Sequence, residues 1–152
     1  MKFLLVDGVV HDLVFSARNV VRRRETFAYE EMEIHMKKFV EDIEKSGGTP
    51  TGTFFYSLNN TPFDEVVDIE FFISVDEGYV EGDNLLFSSY FEVNNTIQTT
   101  VKNDFETLTE IAYARLIATI EHNQQDIRTP FYHVINKKED ELSVTVVLGY
   151  AH

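Results

Sequence analysis

The chain has 152 residues and a mass of 17.6 kDa, enough for one hydrophobic core and too little for two large domains. It is 43% hydrophobic and 13% aromatic with 7 Gly and 3 Pro, a composition that packs a core and argues against a disordered chain. Twenty-six acids against thirteen Lys and Arg leave a formal charge of −13, which repels phosphate backbones and anionic headgroups, so neither nucleic acid nor membrane is an expected partner.

The first residues, Met1 to Asp7, hold an apolar run too short for a signal peptide or a spanning helix, and a cytoplasmic protein is expected. Asp12 to Thr26 reads as a strand through Leu13, Phe15, Val20 and Val21, with Arg22-Arg23-Arg24 near its end. In that strand Arg22 and Arg24 share one face and Arg23 takes the other, which points to ion pairing with the abundant acids rather than to a phosphate patch. From Tyr29 the period becomes helical: Tyr29, Met32, Met36, Phe39, Val40 and Ile43 form one stripe, with Thr26 as the expected cap. Glu33 with Lys37 and Glu41 with Lys45 are spaced as i, i+4 pairs, and Ser46-Gly47-Gly48 supplies the stop.

After a turn at Thr49-Pro50-Thr51-Gly52 comes the aromatic strand Thr53 to Leu58, ended by Asn59-Asn60-Thr61-Pro62. Val66 to Val75 then places Ile69, Phe71, Ile73 and Val75 on one face and Asp68, Glu70, Phe72 and Ser74 on the other. This makes a β-α-β-β unit over residues 12–75, followed by a linker or hinge at 76–84. A second unit over 85–150 begins with Leu85, Phe87, Phe91 and Val93 and continues through Ile97 to Val101, as one bent strand or a hairpin. Asn103-Asp104-Phe105-Glu106 has the spacing of a capped helix start, and Leu108, Ile111, Ala112, Leu116 and Ile120 carry that helix to about His122. Phe131 to Ile135, a polar turn at Asn136 to Glu141, and Leu142, Val144, Val146 and Leu148 complete β-α-β-β again.

The repetition is visible as an offset: Ile34, Phe39, Val40 and Ile43 correspond to Ile111, Leu116, Ile117 and Ile120, each 77 residues later, and Phe55-Tyr56 to Phe131-Tyr132 at 76. The expected fold is α+β within a single domain: tandem β-α-β-β repeats in one antiparallel sheet, with two helices on one face and a concave surface on the other. A ligand, the chain's own extended segments or a second chain would cover that surface.

The chemistry-bearing residues are sparse. With no cysteine there is no disulfide, thiolate zinc site or thiol nucleophile. His11, His35, His122, His133 and His152 lie on different elements, so neither metal nor cofactor is expected; Glu31 and His35, at i, i+4, read as a surface contact. Ser88, Ser89 and Ser143 lack the setting of a nucleophile elbow. Glu70 is the first candidate for a ligand-facing acid, although an outward strand acid is commonly solvated. Tyr56, Tyr90, Tyr113 and Tyr132 are candidate pocket walls, with core packing as the plainer reading of each.

Gly47-Gly48 after the first helix, the acidic strand Asp68 to Val75, and Asn103 to Leu108 opening the second helix resemble the GyrI-like small-molecule-binding fold over nearly the whole chain. More closely, the chain resembles an uncharacterised family of small proteins, mostly from Gram-positive bacteria, that looks like a divergent branch of that superfamily. The resemblance implies a groove between the repeats, used by effector domains of transcription regulators for apolar cations and by a gyrase-inhibitory relative; some relatives are thought to be hydrolases. It implies a ligand site at Glu70 and Asp68. Where such proteins tend to carry a Glu in the final strand, this chain has Ser143 or Thr145, so Thr145 is the hydroxyl-bearing counterpart and charge compensation of a cation is weakened. With residue 12 already in a strand, no helix-turn-helix is expected ahead of the domain, and regulation would act through a partner.

The leading expectation is a non-enzymatic protein that binds a small apolar or amphipathic molecule in the groove between the repeats. The alternative is a protein-interaction module, docking a partner protein or forming a homodimer. Hydrolysis ranks third, since the sequence assembles no base, nucleophile and orienting group.

Overall fold

A computed structural model describes residues 3–60, 65–138 and 140–151. It is an α+β fold with antiparallel strands and two helices: β1 (Val10–Ala28), α1 (Met32–Lys45), β2 (Pro50–Leu58), β3 (Val66–Val75), β4 (Leu86–Val101), α2 (Phe105–His122), β5 (Asp126–Ile127), β6 (Phe131–Lys138) and β7 (Glu141–Ala151). The chain forms two compact units, Ser16–Phe91 and Met1–Phe15 with Glu92–His152. Both long strands, β1 and β4, contribute to each. They bend at Asn19 (φ 50°) and Asn95 (φ 59°), in the left-handed region that asparagine tolerates better than most side chains. β4 is thus one continuous strand rather than a hairpin.

In the first unit, Ser16–Phe91, β3 pairs antiparallel with β1 on one side and β2 on the other. Its alternation follows the sequence: Ile69, Phe71, Ile73 and Val75 are buried with Phe39 and Ile43 of α1, and Phe39 and Phe71 lie 5.7 Å apart, ring to ring. Residues 76–84 carry no helix or strand, but they are not loose. Val80 and Leu85 enter this core, and buried Arg23 donates to Asp42 at 2.8 Å and to the carbonyls of Asp83 and Asn84 at 3.0 and 3.3 Å.

Helix ends differ from expectation where the backbone has other uses. Thr26 is not a cap: it pairs with Asp68 in the β1–β3 ladder, and a 3-10 turn, Tyr29–Glu31, leads into α1 with Tyr29 exposed. The stop is as expected, since Gly47 has φ 91° and the amides of Gly47 and Gly48 donate to Glu44 and Ile43. Of the i, i+4 pairs on α1, the one that closes is Lys38 with Asp42 at 3.5 Å, instead of the two expected. His35 stacks on Phe27 and pairs with Glu25 at 3.2 Å, not with Glu31. The Thr61-Pro62 part of the expected turn lies outside the described residues.

In the second unit β7 pairs with β4 and β6, and Val146 and Leu148 face Leu116 and Ile120 of α2 together with Ile97. The cap of α2 is Asp104, at φ 45° and without a side-chain cap bond, rather than Asn103. The helix ends at His122, as expected. Its closing turn places Gln124 at φ 55°, with the amides of Gln124 and Gln125 donating to Glu121 and Ile120, the geometry that a glycine serves in α1. β6 runs to Lys138, so the turn before β7 is shorter than expected, and its residue 139 lies outside the described residues.

Of the apolar pairs that keep step at 77 residues, Phe39 with Leu116 and Ile43 with Ile120 are core in their own units, whereas Ile34 and Ile111 are exposed. Gln124→Gly should raise stability by about 0.5–1 kcal/mol, the left-handed strain less the entropy a glycine adds to the unfolded chain, read as a higher urea midpoint. Arg23→Ala leaves Asp42 with Lys38 alone and two carbonyls without their donor, and should lower stability by roughly 1.5–3 kcal/mol in the same experiment.

Candidate functional site

Because β3 is paired on both sides, its polar face is set by the same alternation that builds the core. Glu70 stands opposite Arg24 of β1 and Ser57 of β2; Phe72 stands opposite Arg22 and Phe55. Asp68, Glu70, Phe72, Phe55, Ser57, Arg22 and Arg24 therefore share the sheet face that points away from α1. The Phe55 and Phe72 rings stack at 4.6 Å and 5° between planes, and Phe91 leans on both at 5.4 and 5.2 Å. An aromatic cluster thus adjoins a carboxylate.

The charged groups form two equivalent diagonals across β1 and β3. Arg24 reaches Asp68 with two hydrogen bonds, of 2.8 and 2.6 Å. Arg22 reaches toward Glu70 in the same direction but stops at 3.9 Å, too far for a hydrogen bond. The Arg22 Nε is buried with no hydrogen-bond partner, and among the described residues nothing hydrogen-bonds the Glu70 carboxyl. Bonding by Arg24 lowers the Asp68 carboxyl below its ordinary pKa. Burial raises the Glu70 carboxyl above its own, against the opposing pull of Arg22 and Arg24. Two acids two residues apart are thus held in opposite senses.

The other residues singled out by sequence divide between faces. Tyr56 stands opposite Phe71 and packs on the α1 side, so it does not share the Glu70 face; its neighbour Phe55 does. Tyr90 is exposed on β4. In the second unit, Tyr113 is buried on the α2 side, where it stacks on Phe131 at 4.3 Å and its hydroxyl bonds His133. Tyr132 and Thr145 lie on the face away from α2: Tyr132 stands opposite Val147 with the Phe15 ring at 5.7 Å, and Thr145 opposite Thr100 and Val134. The Thr145 hydroxyl is engaged by Thr100 and Asn136, each at 3.0 Å.

Tyr56 and Tyr132, paired by sequence at an offset of 76, therefore face oppositely with respect to their own helices. Sequence reasoning missed Phe55 and Phe91 as neighbours of Glu70 and read Arg22 as an ion-pairing partner of the acids, which its approach to Glu70 at 3.9 Å fits. Phe72 was legible as a neighbour of Glu70 on β3, whereas Phe55 needed the β2–β3 register.

Residues 16–148 match the family model described as a domain of unknown function, DUF5085. The chain belongs to that family. No protein of curated function matches it by sequence. Its structure is similar to the crystal structure of the EcmrR C-terminal domain, with a TM-score of 0.69 and 14% identity over 93% of this chain and 97% of that one. It is also similar to EcmrR in a complex with DNA, at a TM-score of 0.70 and 15% identity, covering 96% of this chain and 59% of that chain. The likeness is one of fold. No helix among the described residues is long and apolar enough to cross a membrane.

The two acids should titrate in opposite directions from the ordinary carboxylate value. A carboxyl raised on folding gives stability that is full below its unfolded pKa and is lost as pH rises through the folded one. A lowered carboxyl gives stability present above the unfolded pKa and lost as pH falls through the folded one. Carboxyl NMR should place the Glu70 midpoint above that of Asp68. In urea unfolding Glu70→Gln should gain stability relative to the parent progressively as pH rises above about 4, and Asp68→Asn should be less stable than the parent at neutral pH, its deficit shrinking as pH falls below about 4.

Proposed function

We propose that this protein binds a small apolar or amphipathic molecule without transforming it, as a sensor or carrier. Glu70 meets the ligand's polar end, and Phe91, backed by the buried ring of Phe72, meets its apolar body. One observation supports this most: a half-buried carboxylate raised in pKa and left open, beside an aromatic cluster, when the neighbouring Arg24–Asp68 pair shows the closed alternative. A ligand supplies the missing partner, and the partly exposed Phe91 ring supplies surface that favours an apolar body.

The fold supports the same reading. We take the chain to be GyrI-like and its two units to be copies of one β-α-β-β plan, in which Phe55 answers to Tyr132 and Glu70 to Thr145. On that reading one copy keeps the acid, while the other has a hydroxyl already bonded to Thr100 and Asn136. EcmrR is a protein solved on DNA, and the present chain spans 59% of it. A regulatory role for this chain would run through a partner rather than through direct DNA contact, in keeping with its −13 charge.

Native mass spectrometry of protein purified gently from its own host tests the reading. The expected result is a reproducible small added mass that is lost in Glu70→Ala and in Phe91→Ala and retained in Thr145→Val. An added mass indifferent to Glu70 and Phe91 would remove the site. A dimer or a co-purifying protein without added small mass would favour the interaction module instead.

A further inference from the structure

The turn that leads into β1 takes no part in the candidate site, yet it holds a reactive arrangement. Residues 6–9 are closed by the Val9 amide donating to the Val6 carbonyl at 3.0 Å, and Gly8 sits at the third position with φ 85°, which glycine adopts without strain. Asp7 and Gly8 are both exposed. Asp7-Gly8 is also the one place in the sequence where Asp or Asn precedes a glycine. Among the described residues the Asp7 carboxyl makes no hydrogen bond or ion pair, and the Gly8 amide N–H has no acceptor. Arg115 lies against Gly8, its Nη1 3.2 Å from where a Cβ would stand, without pinning the Asp7 carboxyl.

A free carboxyl and an unbonded amide on adjacent residues, with no side chain on the second to crowd its nitrogen, can close a ring. The Gly8 nitrogen attacks Asp7 Cγ and forms the N–Cγ bond of a succinimide. The Cγ–O bond of the protonated carboxyl breaks, and its hydroxyl leaves with the amide proton as water. Water then adds to either ring carbonyl. Cleavage of N–Cγ restores Asp7, whereas cleavage of the original peptide bond leaves the main chain running through Cβ and Cγ as isoaspartate, at no net change in mass and with water as the only co-reactant. Glu77-Gly78 and Glu81-Gly82 would need a larger ring, and the Glu77 carboxylate is already held by the Thr49 amide and hydroxyl at 2.7 and 2.8 Å.

We propose that Asp7-Gly8 is a modification site at which the chain converts spontaneously to isoaspartate, and that conversion releases residues 3–6 from α2. The extra backbone atom opens the Val6–Val9 hydrogen bond, and the two sides of the turn are unequally anchored. On one side Val9 is buried in the core and the Gly8 carbonyl accepts from the Thr99 hydroxyl at 2.8 Å. On the other, Leu4 exchanges two hydrogen bonds of 2.7 Å with the Asn123 side-chain amide, the Val6 amide reaches Thr119 at 3.4 Å, and Phe3 stacks on His11 and Tyr150. No strand ladder holds that side, so the misfit is taken up there.

Warming the full chain at mildly acidic pH tests this, with peptide mapping that separates the two isomers and a protease that cuts before aspartate but not before isoaspartate. A transient form lighter by one water is expected, followed by isoaspartate at position 7 in excess of that at every other Asp. Both products should be lost in Asp7→Glu and reduced in Gly8→Ala, where a methyl crowds the nitrogen; circular dichroism shows whether each variant is folded. In the converted protein, hydrogen exchange should lose protection at the Leu4 amide, as it should in Asn123→Ala, while the β4–β7 ladder keeps its own.

Absence of isoaspartate at position 7, or an equal amount at another Asp, would overturn the site. Persistence of the product in Asp7→Glu would do the same, since the reaction would then lie elsewhere. Conversion that leaves Leu4 protected would overturn the release of residues 3–6.

Discussion

β3 is hydrogen-bonded to a neighbouring strand on both sides, and that double ladder determines where every one of its side chains points. One residue of slip would exchange its faces, placing Asp68 and Glu70 in the core and Ile69 and Phe71 outside. The burial of Phe71 and Ile69 against α1 therefore sets the register, and the register in turn sets the direction of Glu70. The candidate site is a by-product of core packing in the sense that no separate device aims it. A core of this kind loses several kcal/mol when a large side chain is removed, so the face opposite inherits a rigid platform.

On that platform the diagonals formed by Arg24 with Asp68 and by Arg22 with Glu70 are a built-in comparison. They share strand geometry and direction and differ by one methylene in the acid, yet one is a closed bidentate fork and the other is open. Ion pairs at a surface contribute little to stability in either state, so stability alone does not demand the closed form. The open pair differs in its surroundings, with Phe72 in direct register with Arg22, and in its half-buried carboxylate. An acid that gives up solvation without gaining a hydrogen bond destabilises the fold slightly.

The second unit carries a similar set of elements with a different polar outcome. Its helix-distal face presents Thr145, Thr100 and Asn136 bonded among themselves, with no carboxylate among them. Its buried polar pair, Tyr113 with His133, lies on the helix side, where the tyrosine also stacks on Phe131. The aromatic residues favoured by sequence reasoning thus serve mostly as packing, and the rings beside the acid are phenylalanines.

Much of this was legible in the amino-acid sequence. Period-two and helical patterns located β3, α1 and α2, the glycine pair after Lys45 located a helix stop, and the alternation Asp68, Glu70, Phe72 put acid and ring on one face. These are local properties, decided by the backbone geometry within a few residues. What only the tertiary structure decided was which strand lies beside which, and in what register. That is why Thr26 became a ladder residue instead of a cap and why Phe55 rather than Tyr56 stands with Glu70. Strand pairing joins residues far apart in sequence, such as Arg22 with Phe72, and the short-range pattern of either strand carries no record of its partner's alignment.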